Sequence, residues 1–307
     1  MSYKLDGIPS PKASEAEKAD FMEVKSLLAM PHEYSILEAS QAMGFVEEED
    51  EGDRISEDLP FYDTLQRMDV RQMQAKDNNY PFKVEGYVVK VKPDIPDYLM
   101  QVYTFLLLAT RNNMKSNSLV NDLDGTRLFE QLCAVVLKNY FGQIHSHTFV
   151  FGTGNNHQRS FKAKMELLLN QLKESGYHSY RSEDSTGDEV DDKLDVVAHI
   201  PFDDGRKGQF IAFCQCKTGT TWKPLVNQLS PIRFTRSHIS PPLIFTPISV
   251  FMIAEAVENN MEDLSLDILF FDRCRIMQYL PSEDILLENY LLDNIRTWNE
   301  GVLKMYV

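Results

Sequence analysis

Apolar residues recur with a helical period at several places in the N-terminal third of the chain. Ser14 to Met30 shows the spacing of an amphipathic helix, and its first residue and a glutamate three positions later form a capping-box pattern. Tyr34 to Gly44 predicts a short second helix that ends at its glycine. Pro81 to Val91 predicts a strand, and Pro96 to Asn112 predicts a largely buried helix.

The pattern becomes more regular after residue 125. Thr126 to Phe141 and Phe161 to Ser175 each place their apolar residues on one helical face, and a glycine follows each. Leu194 to Phe202 and Gln209 to Lys217 predict two strands joined by a turn. The remaining predicted elements are a strand over Leu243 to Met252, a short helix over Ala254 to Met261, a strand over Leu264 to Phe271 and a helical region over Glu283 to Lys304. This order predicts an α/β fold with a mixed sheet flanked by helices.

We expect two regions along the 307 residues. Residues 1–95 form a mainly helical accessory region, which contains an acidic run from Glu47 to Asp58 that is typical of a solvated linker. Residues 96–307 form the larger domain that contains the predicted mixed sheet.

The net charge of −15 argues at first against a protein that binds nucleic acid, because phosphate affinity comes from lysine and arginine. The charge is unevenly distributed: residues 1–100 carry −10, residues 101–250 carry +2 and residues 251–307 carry −7. A local basic groove in the central segment is therefore compatible with the composition. We expect weak affinity for naked DNA and a protein partner that docks on the acidic N-terminal region.

The four cysteines lie inside apolar stretches, and the chain opens without the basic and apolar pattern of an export leader. These features predict reduced thiols and a cytoplasmic protein. No apolar run reaches the roughly 20 residues that a membrane span requires, so we expect no membrane association. The cysteines are Cys133, Cys214, Cys216 and Cys274.

Glu130 is the first candidate site residue. In the helix from Thr126 to Phe141 it projects away from the polar side and lies among Ala134, Leu137 and Phe141. A partly desolvated carboxylate costs several kcal/mol unless a cation compensates it. Glu130 is therefore a candidate metal ligand, although a structural salt bridge would also explain it.

The predicted hairpin supplies the other candidates. Side chains two apart on a strand share a face, so Gln215 and Lys217 point the same way. If the numbers of paired residues add up to 410 or 412, Asp195 lies on that face as well; an odd register turns Asp195 away. A structural ion pair between Asp195 and Lys217 is the alternative interpretation.

This set of residue types suits phosphodiester hydrolysis. Carboxylate and carbonyl oxygens can hold Mg²⁺ or Mn²⁺, and the metal polarises the phosphate and acidifies the attacking water. A lysine beside the metal can orient that water and offset the charge that develops on phosphate.

Three segments resemble the PD-(D/E)xK nuclease superfamily, and particularly its Mrr-like branch. They are the acidic stretch from Gly187 to Ala198, the Gln-x-Lys motif in Phe213 to Lys217, and the helix segment Leu128 to Leu132. The resemblance covers residues 120–275. It implies a restriction-endonuclease-like fold and a DNA endonuclease, with a role in prokaryotic defence against foreign DNA.

Under the resemblance, Asp195 is the main metal ligand and the main-chain carbonyl of Cys216 lies beside it. Lys217 is the catalytic lysine, and Glu130 is a further metal ligand. Gln215 stands where many members have an acidic residue. An amide there predicts weaker metal binding, which Glu130 would compensate.

Other interpretations remain open from the residues alone. A catalytically silent nuclease fold could act as a scaffold or as a nucleic-acid-binding subunit, and the substrate could be RNA. The two N-terminal helices could form a helix-turn-helix, although their acidity favours protein docking. The sequence also leaves a homo-oligomer open.

Overall fold

The structure is a computed structural model that describes residues 4–5, 7–44, 61–151, 161–174, 179–180, 193–257 and 267–306. Its helices are α1 (Glu15–Leu28), α2 (Ile36–Ala42), α3 (Tyr62–Gln74), α4 (Asp97–Arg111), α5 (Gly125–Tyr140), α6 (Phe161–Gln171), α7 (Pro231–His238), α8 (Arg273–Gln278), α9 (Glu283–Leu287) and α10 (Leu291–Leu303). Short 3₁₀ helices cover Asp77–Asn79, Lys223–Leu225 and Glu288–Tyr290.

The strands are β1 (Glu33–Ser35), β2 (Phe82–Glu85), β3 (Val88–Val91), β4 (Leu119–Val120), β5 (Leu123–Asp124), β6 (His147–Val150), β7 (Ser179–Tyr180), β8 (Val196–Ile200), β9 (Phe210–Lys217), β10 (Ile239–Ser240), β11 (Ile248–Ile253) and β12 (Ile268–Phe271). The chain is therefore a mixed α/β protein, as the hydrophobic pattern predicts. Among the described residues no helix is long and apolar enough to cross a membrane.

The N-terminal region departs from the expected pattern in detail. Ser14 caps α1 through the predicted capping box. However, the single strand expected over Pro81 to Val91 is a hairpin of β2 and β3, because Gly86 adopts a φ of +60° and reverses the chain. β1 adds to this hairpin and forms a three-stranded antiparallel sheet, and α3 was not predicted. The acidic run over Glu47 to Asp58 lies outside the described residues.

A five-stranded sheet forms the centre of the larger region, in the order β12-β11-β9-β8-β6. β8 pairs antiparallel with β6 and β9, whereas β11 pairs parallel with β9 and β12. Val196 pairs with Cys214 and Ile200 with Phe210, so the hairpin adopts the even register in which paired numbers add up to 410. In this register the position of Asp195, just before β8, lies opposite Gln215.

Two predicted elements of the larger region differ in the structure. The helix expected over Ala254 to Met261 does not form in its described part, since Ala254 to Val257 have no helical hydrogen bonding. The backbone amide of Val257 instead donates to the carboxylate of Asp272. The resemblance also implies a helix that begins at Trp222 and Lys223; the structure has only the short 3₁₀ helix Lys223–Leu225 there, and helix α7 begins later, at Pro231.

Helices cover both faces of the sheet. Val196, Ala198, Cys214 and Cys216 pack against α5 in the main core, while Val197, Ile211 and Phe213 pack with α6 and α7 in a second core. The first residue of α5, Gly125, lies against Trp298, and a Cβ atom there would lie 2.7 Å from the indole ring. This close approach fixes the start of α5 and thereby the position of its later residues.

A buried cluster of charges links the N-terminal region to the larger one. Asp20 and Glu23 on α1 contact three arginines, and the side chains of all five residues have no exposed surface. The shortest contacts are 2.7 Å from Arg71 to Glu23, 2.6 Å from Arg111 to Asp20 and 2.9 Å from Arg273 to Asp20. The hydroxyls of Tyr80 and Tyr103 also donate to Glu23.

This buried cluster changes the interpretation of the acidic N-terminal region. Two of the acidic residues of α1 face inward and bind arginines, so they are not available to an outside partner. Core residues on both sides of residue 95 belong to one continuous core. The expected boundary at residue 95 and the docking role of residues 1–95 therefore stay predictions.

Replacing a carboxylate of the cluster should strongly destabilise the fold. Burial alone would raise the pKa of Asp20, but the charges of Arg111, Arg273 and Arg71 hold that pKa well below its ordinary value. Asp20→Asn should lower the free energy of unfolding at neutral pH by about 3–5 kcal/mol, because it leaves buried arginines without a counter-charge. The loss should shrink as the pH falls below about 4, where Asp20 becomes protonated in the unfolded wild type.

Asp97→Asn is the matched control, since Asp97 pairs with Arg296 at the surface and its side chain is 58% exposed. It should change the free energy of unfolding by less than about 1 kcal/mol. Urea denaturation of the three proteins from pH 3 to pH 7 would measure both effects. Equal stabilities for the two variants would contradict a structural role of the cluster.

Candidate active site

A cavity of about 710 Å³ lies where β8 begins and β9 ends. The end of α4, one side of α5, the residues before β8 and the loop after β9 all contribute to its wall. Glu130, Asp195, Cys216 and Lys217 line it together. The fold thus brings to one cavity four of the five residues that the sequence assigned to the site.

Asp195 occupies the floor of this cavity and is 7% exposed. Its Oδ2 accepts a hydrogen bond of 2.7 Å from the backbone amide of Cys216, which fixes the carboxylate at the end of the β8–β9 ladder. Burial raises the pKa of Asp195 well above its ordinary value, and the neighbouring Cys216 and Glu130 add to this effect. Lys217 and the Cys216 amide act in the opposite direction but do not cancel it.

The carbonyl of Cys216 points toward the same edge as Asp195. In a strand the N–H and C=O groups of one residue point toward the same neighbour and those of the next residue toward the opposite one, and the carbonyl of Lys217 accepts the Ala254 amide beside β11. The N–H and C=O groups of Cys216 therefore point toward β8, as the hydrogen bond from the Cys216 amide to Asp195 also shows. This orientation suits a main-chain oxygen ligand beside the Asp195 carboxylate.

Glu130 reaches the cavity from the face of the sheet that α5 covers. It lies in the second turn of α5 and is 6% exposed. The apolar face of α5 packs on Val196 and Cys214, and this packing carries Glu130 to the end of the hairpin. Sequence periodicity predicted its partial desolvation, and the structure confirms that Glu130 is buried.

Lys217 is the last residue of β9 and is partly exposed in the cavity wall. Its charge influences Asp195, yet among the described residues the two side chains form no ion pair with each other. The alternative that Asp195 and Lys217 form a structural ion pair is therefore not what the structure shows.

Gln215 is the candidate that does not line the cavity. It is fully buried, and its Nε2 donates to Oε1 of Gln228 over 3.5 Å, while Gln228 itself lines the cavity. The Oε1 atom of Gln215 is buried and has no hydrogen-bond partner in the described part of the chain. The even register places Gln215 beside Asp195, but Gln215 lies one layer behind the cavity wall.

Lysines around the cavity are the functional feature that sequence reasoning missed. Lys4, Lys115 and Lys193 are exposed and line the cavity together with Lys217. They come from separate segments, so no local motif joins them. The only sequence signal is the relatively basic central segment, which contributes three of the four lysines. Arg111 also borders the cavity, but its side chain is fully buried in the charge cluster.

Three thiols lie close together at the cavity, and one of them, Cys216, lines it. Cys214 and Cys216 alternate along β9 with Gln215 and Lys217 and face α5, where they meet Cys133. The Sγ atoms of Cys214 and Cys216 are 3.8 Å apart. Burial raises the pKa of both Cys133 and Cys214 well above the ordinary value, so these two are neutral thiols. All four cysteines of the chain are free.

The donor set of the cavity fits a small hard cation. Within the described ranges no group of three or more acidic, histidine or cysteine side chains is arranged to hold a metal. However, Mg²⁺ commonly binds through only one or two carboxylates, keeps several waters and takes further oxygens from substrate phosphate. Asp195, Glu130 and the Cys216 carbonyl are of that kind, and a divalent charge would compensate two buried carboxylates.

Comparisons with known proteins identify no relative: no family model, no curated protein and no solved structure matches this chain.

Asp195 should make the metal-free protein less stable as the pH rises. Because folding raises the pKa of Asp195, the protonated side chain contributes to the free energy of unfolding. This contribution is fully present below the unfolded pKa of about 3.9 and is lost as the pH rises through the folded pKa. Asp195→Asn keeps an acceptor for the Cys216 amide but cannot ionise. In EDTA at pH 8 this variant should exceed the wild type in the free energy of unfolding by more than about 1 kcal/mol.

Urea denaturation of both proteins in EDTA between pH 4 and pH 8 measures this difference, which should disappear toward pH 4. A variant that is less stable than the wild type at every pH would show that the ionised carboxylate is well compensated without metal.

Proposed function

We propose that this protein is a divalent-metal-dependent endonuclease that hydrolyses phosphodiester bonds of DNA, with Mg²⁺ or Mn²⁺ as its cofactor. One observation carries the proposal: Glu130, Asp195, Cys216 and Lys217, which are distant in sequence, line one cavity, and among the described residues its other charged wall residues with exposed side chains are lysines. Carboxylate oxygens in one cavity are suitable ligands for a divalent cation, and the lysines around them favour an anion. A metal-bound phosphodiester satisfies both requirements.

The residues have distinct proposed roles. Asp195 and Glu130 would hold the metal together with the Cys216 carbonyl, and the Cys216 amide keeps Asp195 oriented. The bound metal would supply a Lewis acid for the phosphate and a more acidic water. Lys217 would hold the attacking water in line and offset the negative charge that builds on phosphate oxygens. Gln215, behind the wall, would support the Gln228 side chain rather than bind the metal.

The topology is compatible with the restriction-endonuclease-like fold that the resemblance implies. A helix with the glutamate, an antiparallel hairpin with the aspartate and lysine, and a following parallel strand occur in the expected order. The assignment to that fold, and to the Mrr-like branch, is part of the proposal. A role in prokaryotic defence and a cytoplasmic location rest on the resemblance and the composition alone.

A catalytically silent scaffold or nucleic-acid-binding subunit is the second candidate. Gln215 favours it, because this position lacks the acidic residue of many superfamily members and lies outside the cavity wall. Such a protein could still bind nucleic acid through the four lysines. Activity measurements separate the two candidates.

Cleavage should depend on both the metal and Lys217. DNA offered both as a supercoiled plasmid and as a single-stranded circle should be cut by the wild type in at least one of these forms in Mg²⁺ or Mn²⁺, and both forms should remain intact in EDTA. Lys217→Ala and Asp195→Asn should each reduce the rate by about 100-fold or more. Lys304→Ala is the matched control, since Lys304 directly follows α10 and its side chain is 78% exposed, and this variant should cut at the wild-type rate.

Failure to cut with every metal, or equal cleavage by Lys217→Ala, would favour the scaffold. A negative result should be repeated with any protein that copurifies, because the acidic surface predicts help from a partner, and with RNA in place of DNA.

Metal binding can be measured without turnover. Mn²⁺ or Mg²⁺ at about 100 times its dissociation constant should stabilise the wild type by about 2.7 kcal/mol, which a rise in Tm reports. Asp195→Asn should lose most of this rise, and Glu130→Gln should lose part of it. An unchanged Tm of the wild type, together with no heat of binding in calorimetry, would argue against a metal site in this cavity.

A further inference from the structure

We propose that the substrate is an unpaired nucleic-acid strand that enters the cavity, and that an intact duplex is excluded. The inference rests on the proposed function and specifies the substrate of the same site. Three features of the cavity lead to it: the burial of the carboxylates, two apolar side chains in its wall and the limited extent of its positive charge.

The depth of the carboxylates sets the first constraint. Asp195 and Glu130 are 7% and 6% exposed, so a phosphate must enter the cavity to share a metal ion with them. The cavity volume of about 710 Å³ is in the range of pockets that enclose small ligands. One or two unpaired nucleotides can occupy such a space. A phosphate inside a duplex is held on a wide, stiff rod and cannot leave the surface of that rod without unpairing.

Two apolar side chains in the wall set the second constraint. Met114 and Leu225 are partly exposed apolar side chains in the same wall as the lysines. In a duplex the flat faces of the bases are stacked and hidden, and only their edges reach a protein. An unpaired strand presents both backbone phosphate and the faces of its bases. A wall that combines lysines with apolar side chains fits the unpaired strand.

The extent of positive charge sets the third constraint. The four cavity lysines belong to a protein with a net charge of −15. A duplex carries one negative charge per about 1.7 Å of its axis, so most phosphates of a bound duplex would lie beyond the lysines, against an acidic protein. A single strand has half of this charge density and can confine its nearest phosphates to the cavity. Repulsion therefore disfavours the duplex more than the single strand.

The direct test compares one labelled DNA oligonucleotide in three forms with the full-length protein and Mn²⁺. The forms are the free strand, the strand annealed to its full complement, and a fork that is paired over one half only. We expect the free strand to be cut at least about tenfold faster than the duplex, and the fork to be cut in its unpaired arm. Cleavage of the duplex at an equal or higher rate would overturn the inference and leave the proposed nuclease function intact.

A binding measurement keeps the inference testable if no form is cut. Fluorescence anisotropy of the wild type in EDTA gives dissociation constants for the free strand and the duplex without turnover. At least about tenfold tighter binding of the free strand supports the inference, and equal or tighter duplex binding overturns it. The absence of cleavage would count against the proposed function only. The same strands made of RNA show which sugar the cavity accepts.

A lysine variant tests whether this cavity causes the preference for the free strand. Lys115→Ala should raise KM for the free strand several-fold with little change in kcat, and should lower the slope of log affinity against log salt by about 0.7. Lys304→Ala is the control, because it removes one exposed lysine outside the cavity and should change neither quantity. Equal effects of the two variants would show that overall charge, and not the cavity, determines binding.

Discussion

The buried contact between α1 and three arginines is the interaction on which the rest of this structure depends. Asp20 and Glu23 lie without solvent among Arg71, Arg111 and Arg273, and each arginine comes from a different helix. Five charges in a dry interior are costly unless they compensate one another. The fold can therefore hold α3, α4 and α8 in place only while α1 supplies its two carboxylates.

The cluster reaches the cavity through a chain of polar contacts. Arg111 lies 3.9 Å from Glu255, whose carboxylate accepts a hydrogen bond of 2.7 Å from the indole of Trp222. Trp222 directly follows residues 218–221, the loop after Lys217, and that loop lines the cavity. In this way the N-terminal helix contributes to the position of the cavity wall, although none of its residues carries a proposed catalytic role. The sequence predicted that residues 1–95 form an accessory region. In the structure these residues share a core with the larger region and contribute Lys4 to the cavity wall.

The sequence was most informative about residues whose position depends on a single helix or a single hairpin. The period of α5 predicted a buried Glu130, and the alternation along β8 and β9 limited the hairpin to a few registers, of which the structure shows the one that pairs Val196 with Cys214. It was least informative where distant segments meet. Lys4 and Lys115 carry no motif, and the burial of Asp20 depends on Arg273, which is 253 residues away. Gln215 faces the predicted way, but its coverage by Gln228 depends on a loop whose path no periodicity encodes.

The mixture of charges in the cavity has a consequence for how its two proposed ligands would bind. Without a cation, the carboxylates of Glu130 and Asp195 repel an incoming phosphate; without a phosphate, the four lysines repel a cation. Each ligand therefore removes an obstacle to the other, so their binding should be positively cooperative. Thermodynamic reciprocity then requires that the nucleic acid tighten the metal by the same factor by which the metal tightens the nucleic acid.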